Sequence, residues 1–212
     1  QAKGWVSAAV AHYVHGRPKQ AIEALRQAAR LNRLDVQLDD LINSLHSEVG
    51  QLIGQREFTR AIGLCRLLLT VDPDRAALHY DLAVLLERQG DVDAAIAHYT
   101  STVRLDPGHP IGHSKLGQAL VSMGQTEEGL KHLRQALRLQ PNSMVLNNTA
   151  WLLATHRDPQ FRQPDEAIQL AERASELTMH QKAGVEDTLA AAYAAAGRFA
   201  LAVETAQRAL GL

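Results

Sequence analysis

The 212 residues are 46% hydrophobic but only 4% aromatic, with 22 Lys and Arg set against 23 Asp and Glu for a formal net charge of −1. That balance gives no global field to steer the chain to nucleic acid or to an anionic membrane surface. The one cysteine, Cys65, excludes an intramolecular disulfide framework and a zinc cluster built on cysteines.

No apolar run approaches the ~20 residues of a transmembrane helix, so no membrane span is expected. Few rings and many Ala, Leu, Arg and Gln favour helices over sheets. A period of 34 residues then organises the chain. Pro73, Pro107 and Pro141 keep it, and so do Ala61, Ala95 and Gly129, Leu52, Leu86 and Leu120, and Val71, Leu105 and Leu139. Within 76–107, the spacing of His79, Leu82, Ala83 and Leu86 predicts a helix with one apolar face. Gly90 suits its end, where positive φ is needed. Asp91 suits the N-cap of a second helix, whose stripe is Ala95, Ile96, Tyr99 and Val103. Asp106-Pro107 closes that helix, because a residue before proline avoids helical geometry. One helix pair cannot bury its own apolar faces, so neighbouring pairs must stack.

This pattern resembles the tetratricopeptide repeat family. Leu82, Ala83, Leu86, Ala95, Tyr99 and Pro107 stand in its packing positions, followed by Leu116, Gly117, Leu120, Gly129, Leu133, Ala136 and Pro141. The resemblance covers essentially the whole chain. It implies an all-α, right-handed superhelical solenoid of about six helix-turn-helix repeats, forming a single domain over 1–212.

In chain order, the first repeat spans about 1–33, with Trp5, Ala9, Gly16, Ala21, Leu25 and Ala28 in the family's positions. The chain opens on Gln1, which reads as a fragment or processed form from which a targeting segment can have been removed. The second repeat, 42–74, follows an insertion of about six residues near Leu34–Asp40, measured against the ~34-residue repeat. Leu34, Leu38, Leu41 and Leu45 keep helical spacing, so a lengthened helix is expected there. The third and fourth repeats are 75–109 and 110–142. The fifth, 143–181, carries a few extra residues in His156–Pro164, whose Asp158-Pro159 and Gln163-Pro164 steps read as a loop. Its likeness to a terminal repeat type of larger bacterial proteins points to a bacterial source. The sixth, 182–212, holds Leu189, Ala190, Tyr193, Gly197, Ala202 and Ala209 and ends without a polar capping helix.

The resemblance also implies a concave groove lined by the first helix of each pair. Carried over repeat by repeat, the groove residues expected to meet a partner are His46, Tyr80, Asp81, Arg88, Lys115, Gln118, Asn148 and Trp151. Asn43, Ser47, Val84, Glu87, Ser114, Val121, Asn147, Thr155, Asp187, Thr188 and Ala191 share the same faces. Trp151 has two readings: an anchor for a partner's side chain, or a ring packed on the following loop against Phe161. Arg88 and Lys115 are suited to a ligand carboxylate, and Asp81 and Glu87 are equally suited to pair with them. The carboxylate clamp of chaperone-binding relatives and the Asn ladder of sugar-nucleotide transferases are both absent; the ladder position reads Ser47, Asp81, Lys115, Asn148 and Thr188.

Ten histidines invite metal or acid–base chemistry. However, His79/His113 and His98/His132 repeat at 34 residues, so packing explains them first. His12 and His15 share a helix face without a third ligand at matching spacing. His109 and His113 flank Pro110, which argues against one helix through both. Cys65 sits among Ile62, Leu64, Leu67 and Leu68 as a buried, inert thiol. With no phosphate loop, nucleophile elbow or metalloprotease helix, no catalytic residue, metal or cofactor is expected. The expected function is a non-catalytic scaffold holding a protein or peptide in its groove. The alternative is a docking module of a larger enzyme or membrane assembly, such as a bacterial glycosyltransferase, self-associating through its uncapped C-terminal repeat. The cytoplasm is favoured over the periplasm.

Overall fold

Prolines and capping side chains start several of the helices where the period places them, and tight turns end them. A computed structural model of the chain describes residues 2–31 and 36–211. Among the described residues lie α1 (Ala2–Val14), α2 (Pro18–Leu31), α3 (Val36–Gly54), α4 (Phe58–Leu69), α5 (Ala76–Gln89), α6 (Val92–Leu105), α7 (Pro110–Ser122), α8 (Thr126–Leu139), α9 (Ser143–Thr155), α10 (Pro164–Leu177), α11 (Ala183–Ala195) and α12 (Phe199–Leu210). They pair in sequence, α1 with α2 through α11 with α12. The pairs fall into two compact units, Gln1–Pro107 and Gly108–Leu212, with three pairs each.

The local chemistry follows the sequence closely. The Ala94 amide donates to Asp91 Oδ1 at 3.2 Å, making Asp91 the N-cap of α6. Pro110 opens α7, and His109 caps it through Nδ1, which accepts from the Gly112 amide at 2.9 Å. Gly90 ends α5 at φ +84°, a left-handed conformation that glycine adopts without Cβ strain. At the turn after α3, Arg56 takes the same region at φ +62°.

Both departures from the period have structural counterparts. The insertion before the second pair appears as α3, which runs 19 residues where its counterparts α5 and α7 run 14 and 13. Leu34 lies outside the described residues. The extra residues of the fifth pair form a loop holding one 3-10 turn, Pro159–Phe161, with Asp158 accepting from the Gln160 amide at 3.0 Å.

Each unit has its own core. In the first, Leu25, Leu64, Cys65, Leu68, Leu78, Leu82, Leu86 and Tyr99 are fully or almost fully buried. In the second, Leu133, Ala150, Leu153, Ala167, Leu189 and Tyr193 form one cluster, and Leu146, Ala174 and Val185 another. Burying a Leu stabilises by about 2 kcal/mol relative to leaving it in water. That gain comes only when pairs stack, so stacking holds each unit together.

Candidate functional site

In the second unit the first helices of successive pairs, α7, α9 and α11, frame a cavity of about 540 Å³. The register of α9 decides what faces it. Ala150 and Leu153 are fully buried in the core, so Trp151 between them turns away from it. Asn147 and Asn148 lie four and three residues earlier, on the same face as Trp151. All three line the cavity, with Gln118 and Val121 from α7, Leu152 from α9, and Asp187 and Thr188 from α11.

Trp151 keeps 51% of its surface exposed. Phe161, its expected neighbour in the loop, instead meets His156 edge-on, with ring centroids 5.0 Å apart. The Asp158 amide donates to His156 Nδ1 at 3.0 Å, which places the His156 proton on Nε2, 3.1 Å from Thr126 Oγ1. Asn147 Oδ1 is buried and has no hydrogen-bond partner among the described residues. A buried acceptor left without a donor is costly.

The first unit treats its groove residues differently. His46 Nε2 on α3 lies 2.6 Å from Asp81 Oδ2 on α5. Asp81 is therefore taken by His46 rather than by Arg88, and the Arg88 guanidinium lies over the Phe58 ring, 5.5 Å from its centroid. The Tyr80 ring is 6.1 Å from that of Tyr99. Burial raises the Tyr80 phenol pKa, and the charges of Asp81 and Glu87 add to the rise. The Tyr99 hydroxyl donates to Glu87 Oε2 at 2.8 Å, and burial first, then that bond, hold its pKa far above the ordinary value.

Thus Gln118, Asn148 and Trp151 come together on one cavity, and His46 and Asp81 in one hydrogen bond. Lys115 is half-buried on α7 and is not part of the cavity wall. Ser114 corrects the sequence reading: it is fully buried rather than presented in the groove, and its hydroxyl accepts from Gln118 Nε2 at 3.1 Å.

The titratable groups elsewhere hold the helices together. His79 and His98 face each other through Nδ1 atoms 2.9 Å apart, and His113 and His132 repeat the arrangement at 2.9 Å. Burial pushes the Cys65 thiol up to about 12, with Asp81 adding to the rise, so it remains protonated. A cluster that sequence reasoning missed lies around Glu186, which is completely buried. Ser175 Oγ donates to Glu186 Oε1, His180 Nδ1 lies 2.6 Å from the same hydroxyl, and Arg208 Nε lies 3.1 Å from Oε2. Arg208 approaches as an ion pair outside hydrogen-bond geometry, since Oε2 has no hydrogen-bond partner among the described residues. The serine gives its single proton to the carboxylate and sits, fully buried, between the other two groups. A Ser-His-acid nucleophile needs the reverse order, with the base on the serine and the acid behind the base. Among the described residues no group of three or more His, Cys, Asp or Glu could hold a metal ion, and no helix is long and apolar enough to cross a membrane.

Stacked helix pairs with a recurring 34-residue register define a helical-repeat protein. Two family models, each described as a tetratricopeptide repeat, match residues 52–110 and 86–152. No curated protein matches the sequence. Among solved structures, PilF of Pseudomonas aeruginosa superposes with a TM-score of 0.69 at 19% identity, covering 82% of this chain and 77% of its own. The MamA protein gives 0.67 at 18%, covering 80% and 90%. YrrB, described as a TPR protein with an unusual peptide-binding site, gives 0.66 at 19%, covering 90% and 92%. Residues 52–152 of the chain therefore carry tetratricopeptide repeats.

Proposed function

We propose that this chain is a non-catalytic scaffold that binds a peptide or an extended element of a partner protein, with the cavity of the second unit as its main site. The observation that carries this reading is the half-exposed Trp151 beside the unpaired Asn147 oxygen. A large ring in a concave, mostly apolar wall buries much area at little entropic cost when a partner arrives. Gln118 and Asn148 supply amide groups beside it. In the first unit, where His46 and Asp81 hold each other and Arg88 lies over Phe58, Tyr80 is the second and lesser contact, and Lys115 on α7 a further one. YrrB's peptide-binding site supports the class of ligand. Selection of phage-displayed peptides on the whole chain tests the proposal. Enriched sequences that bind wild type and lose affinity at least about tenfold on Trp151→Ala support it, that loss being the size expected of an interface hot spot. Enrichment indifferent to Trp151 defeats it.

A second reading, self-association through the last helix, is favoured by one observation. Phe199 and Val203, one turn apart on the same face of α12, are both largely exposed. Contiguous apolar surface of this kind marks contact sites. Sedimentation across a hundredfold range of concentration tests it, with Phe199→Glu and Val203→Glu expected to abolish any dimer.

A further inference from the structure

We infer that the cavity of the second unit is built for an arginine side chain of the bound partner. The inference rests on reading that cavity as the ligand site and adds the chemistry of its occupant.

The polar wall offers acceptors. Asn147 Oδ1 is buried and accepts from no donor among the described residues. Thr188 spends its hydroxyl proton on the Gly184 carbonyl at 3.0 Å, which leaves its oxygen as an acceptor. Gln118 donates one of its two amide protons to Ser114 at 3.1 Å and keeps its carbonyl oxygen. Asp187 is the only charged residue lining the cavity among the described residues, and it is exposed with no ion-pair or hydrogen-bond partner there. The amides of Asn147, Asn148 and Gln118 also carry N–H donors, but the one negative charge and the oxygens beside it favour a cationic donor, and among side chains the charged ones that only donate are Lys and Arg.

The apolar wall agrees. Trp151 presents a half-exposed indole, the best ring for a cation to sit against. Val121 and Leu152 line the same cavity and suit the methylene stem of a long basic side chain. The acceptors come from three helices, α7, α9 and α11, so they approach the cavity from different elements. A planar guanidinium with five donors stacks on the indole and reaches several acceptors at once; a compact ammonium does not. A ligand carboxylate would meet Asp187 and the acceptor oxygens with no Lys or Arg on the wall. An aliphatic anchor would leave Asn147 Oδ1 unpaired.

The test uses the whole chain and a positional-scanning set of acetylated, amidated pentapeptides carrying Arg, citrulline, Lys, Leu or Glu at the fixed position. Citrulline keeps the shape of arginine and removes its charge. Binding is read for wild type, D187N and W151A, each first shown by circular dichroism to melt like wild type. The expected result is a preference for Arg over citrulline of about tenfold, the size of one charge-assisted hydrogen bond. That preference should collapse in D187N, and all binding should weaken in W151A. A preference for Leu or Glu that still depends on Trp151 overturns the arginine assignment and leaves the groove reading standing. An Arg preference that D187N does not change also overturns the assignment. Binding of the whole set that ignores W151A overturns both.

Discussion

The pairs α5/α6 and α7/α8 are copies of one motif, 34 residues apart, and they differ where a ligand would notice. Both keep the facing histidines, with ring centroids 5.1 Å apart in the first and 5.2 Å in the second. At the helix crossing, Ala83 and Ala95 become Gly117 and Gly129. Tyr99, whose hydroxyl holds Glu87, becomes Leu133, and Glu87 becomes Val121. Asp81, held by His46, becomes Lys115. The first copy ties up its groove face with its own polar side chains. In the second, Val121 and Leu133 form part of an apolar cavity wall. One scaffold can therefore carry a self-satisfied face and an open, largely apolar cavity without changing its backbone repeat.

The largest effect should come from undoing the close crossing of the second copy. A Cβ added to Gly117 would stand 2.7 Å from the Gly129 carbonyl oxygen, and one added to Gly129 would stand 2.6 Å from the Gly117 carbonyl oxygen. Both obstacles are backbone, so the helices must separate. Gly117→Ala or Gly129→Ala should each cost about 2–3 kcal/mol by urea denaturation, despite alanine's better helix propensity. In the first copy the same positions already hold alanine, so Ala83→Gly should cost only about 1 kcal/mol. Equal costs in the two copies would mean that the glycines do not set the crossing.

A smaller effect separates the polar and apolar versions of the groove-side link. Tyr99→Phe removes the donor to Glu87 while filling the same space, and should cost about 1 kcal/mol. The reciprocal change, Leu133→Tyr, puts a hydroxyl where Val121 offers no partner, and it narrows the cavity. It should weaken peptide binding without restoring stability. Trp151→Ala, on a half-exposed ring, should alter stability least, within about 0.5 kcal/mol, while abolishing most affinity.

These contrasts mark where the sequence was legible. Helix spacing, Gly90, Asp91 and Pro110 are local signals, and each cap and turn they predict is present. The outward aspect of Trp151 follows from the buried residues on either side of it. Ser114 shows where helical phase stops being enough. It occupies the position of Tyr80, but a short side chain there is covered by Gln118, which reaches back one turn to bond it. The His46–Asp81 pair joins residues 35 apart and depends on how closely α3 and α5 approach, which no pattern states. Glu186 did carry a signal. It is the fourth residue of α11, as His79, His113 and Leu146 are of α5, α7 and α9. An acid at a recurring packing position demands partners, and Ser175, His180 and Arg208 are those partners.

The facing histidines sharpen the comparison through pH. His79 Nε2 lies 2.9 Å from the Pro73 carbonyl and donates to it, so its Nδ1 accepts and His98 donates. Burial lowers the His98 pKa from 6.5, and the neighbouring His79 and Arg66 lower it further. Burial and His113 also lower that of His132, but there Glu128, 3.8 Å from Nε2, works in the opposite direction. A histidine with a depressed folded pKa binds fewer protons folded than unfolded below pH 6.5. Its contribution to stability is therefore complete above that pH and is lost as pH falls toward the folded value. All the influences on His98 act in one direction, so the first copy should lose more on acidification than the second. Urea denaturation at pH 7.5 and pH 5.5 reads this directly. His98→Asn should flatten the loss more than His132→Asn does, because an asparagine that does not titrate removes the larger proton uptake on unfolding. Equal flattening would show that Arg66 and Glu128, the charges that differ between the two pairs, are screened by solvent, and that burial and the neighbouring histidine alone set both.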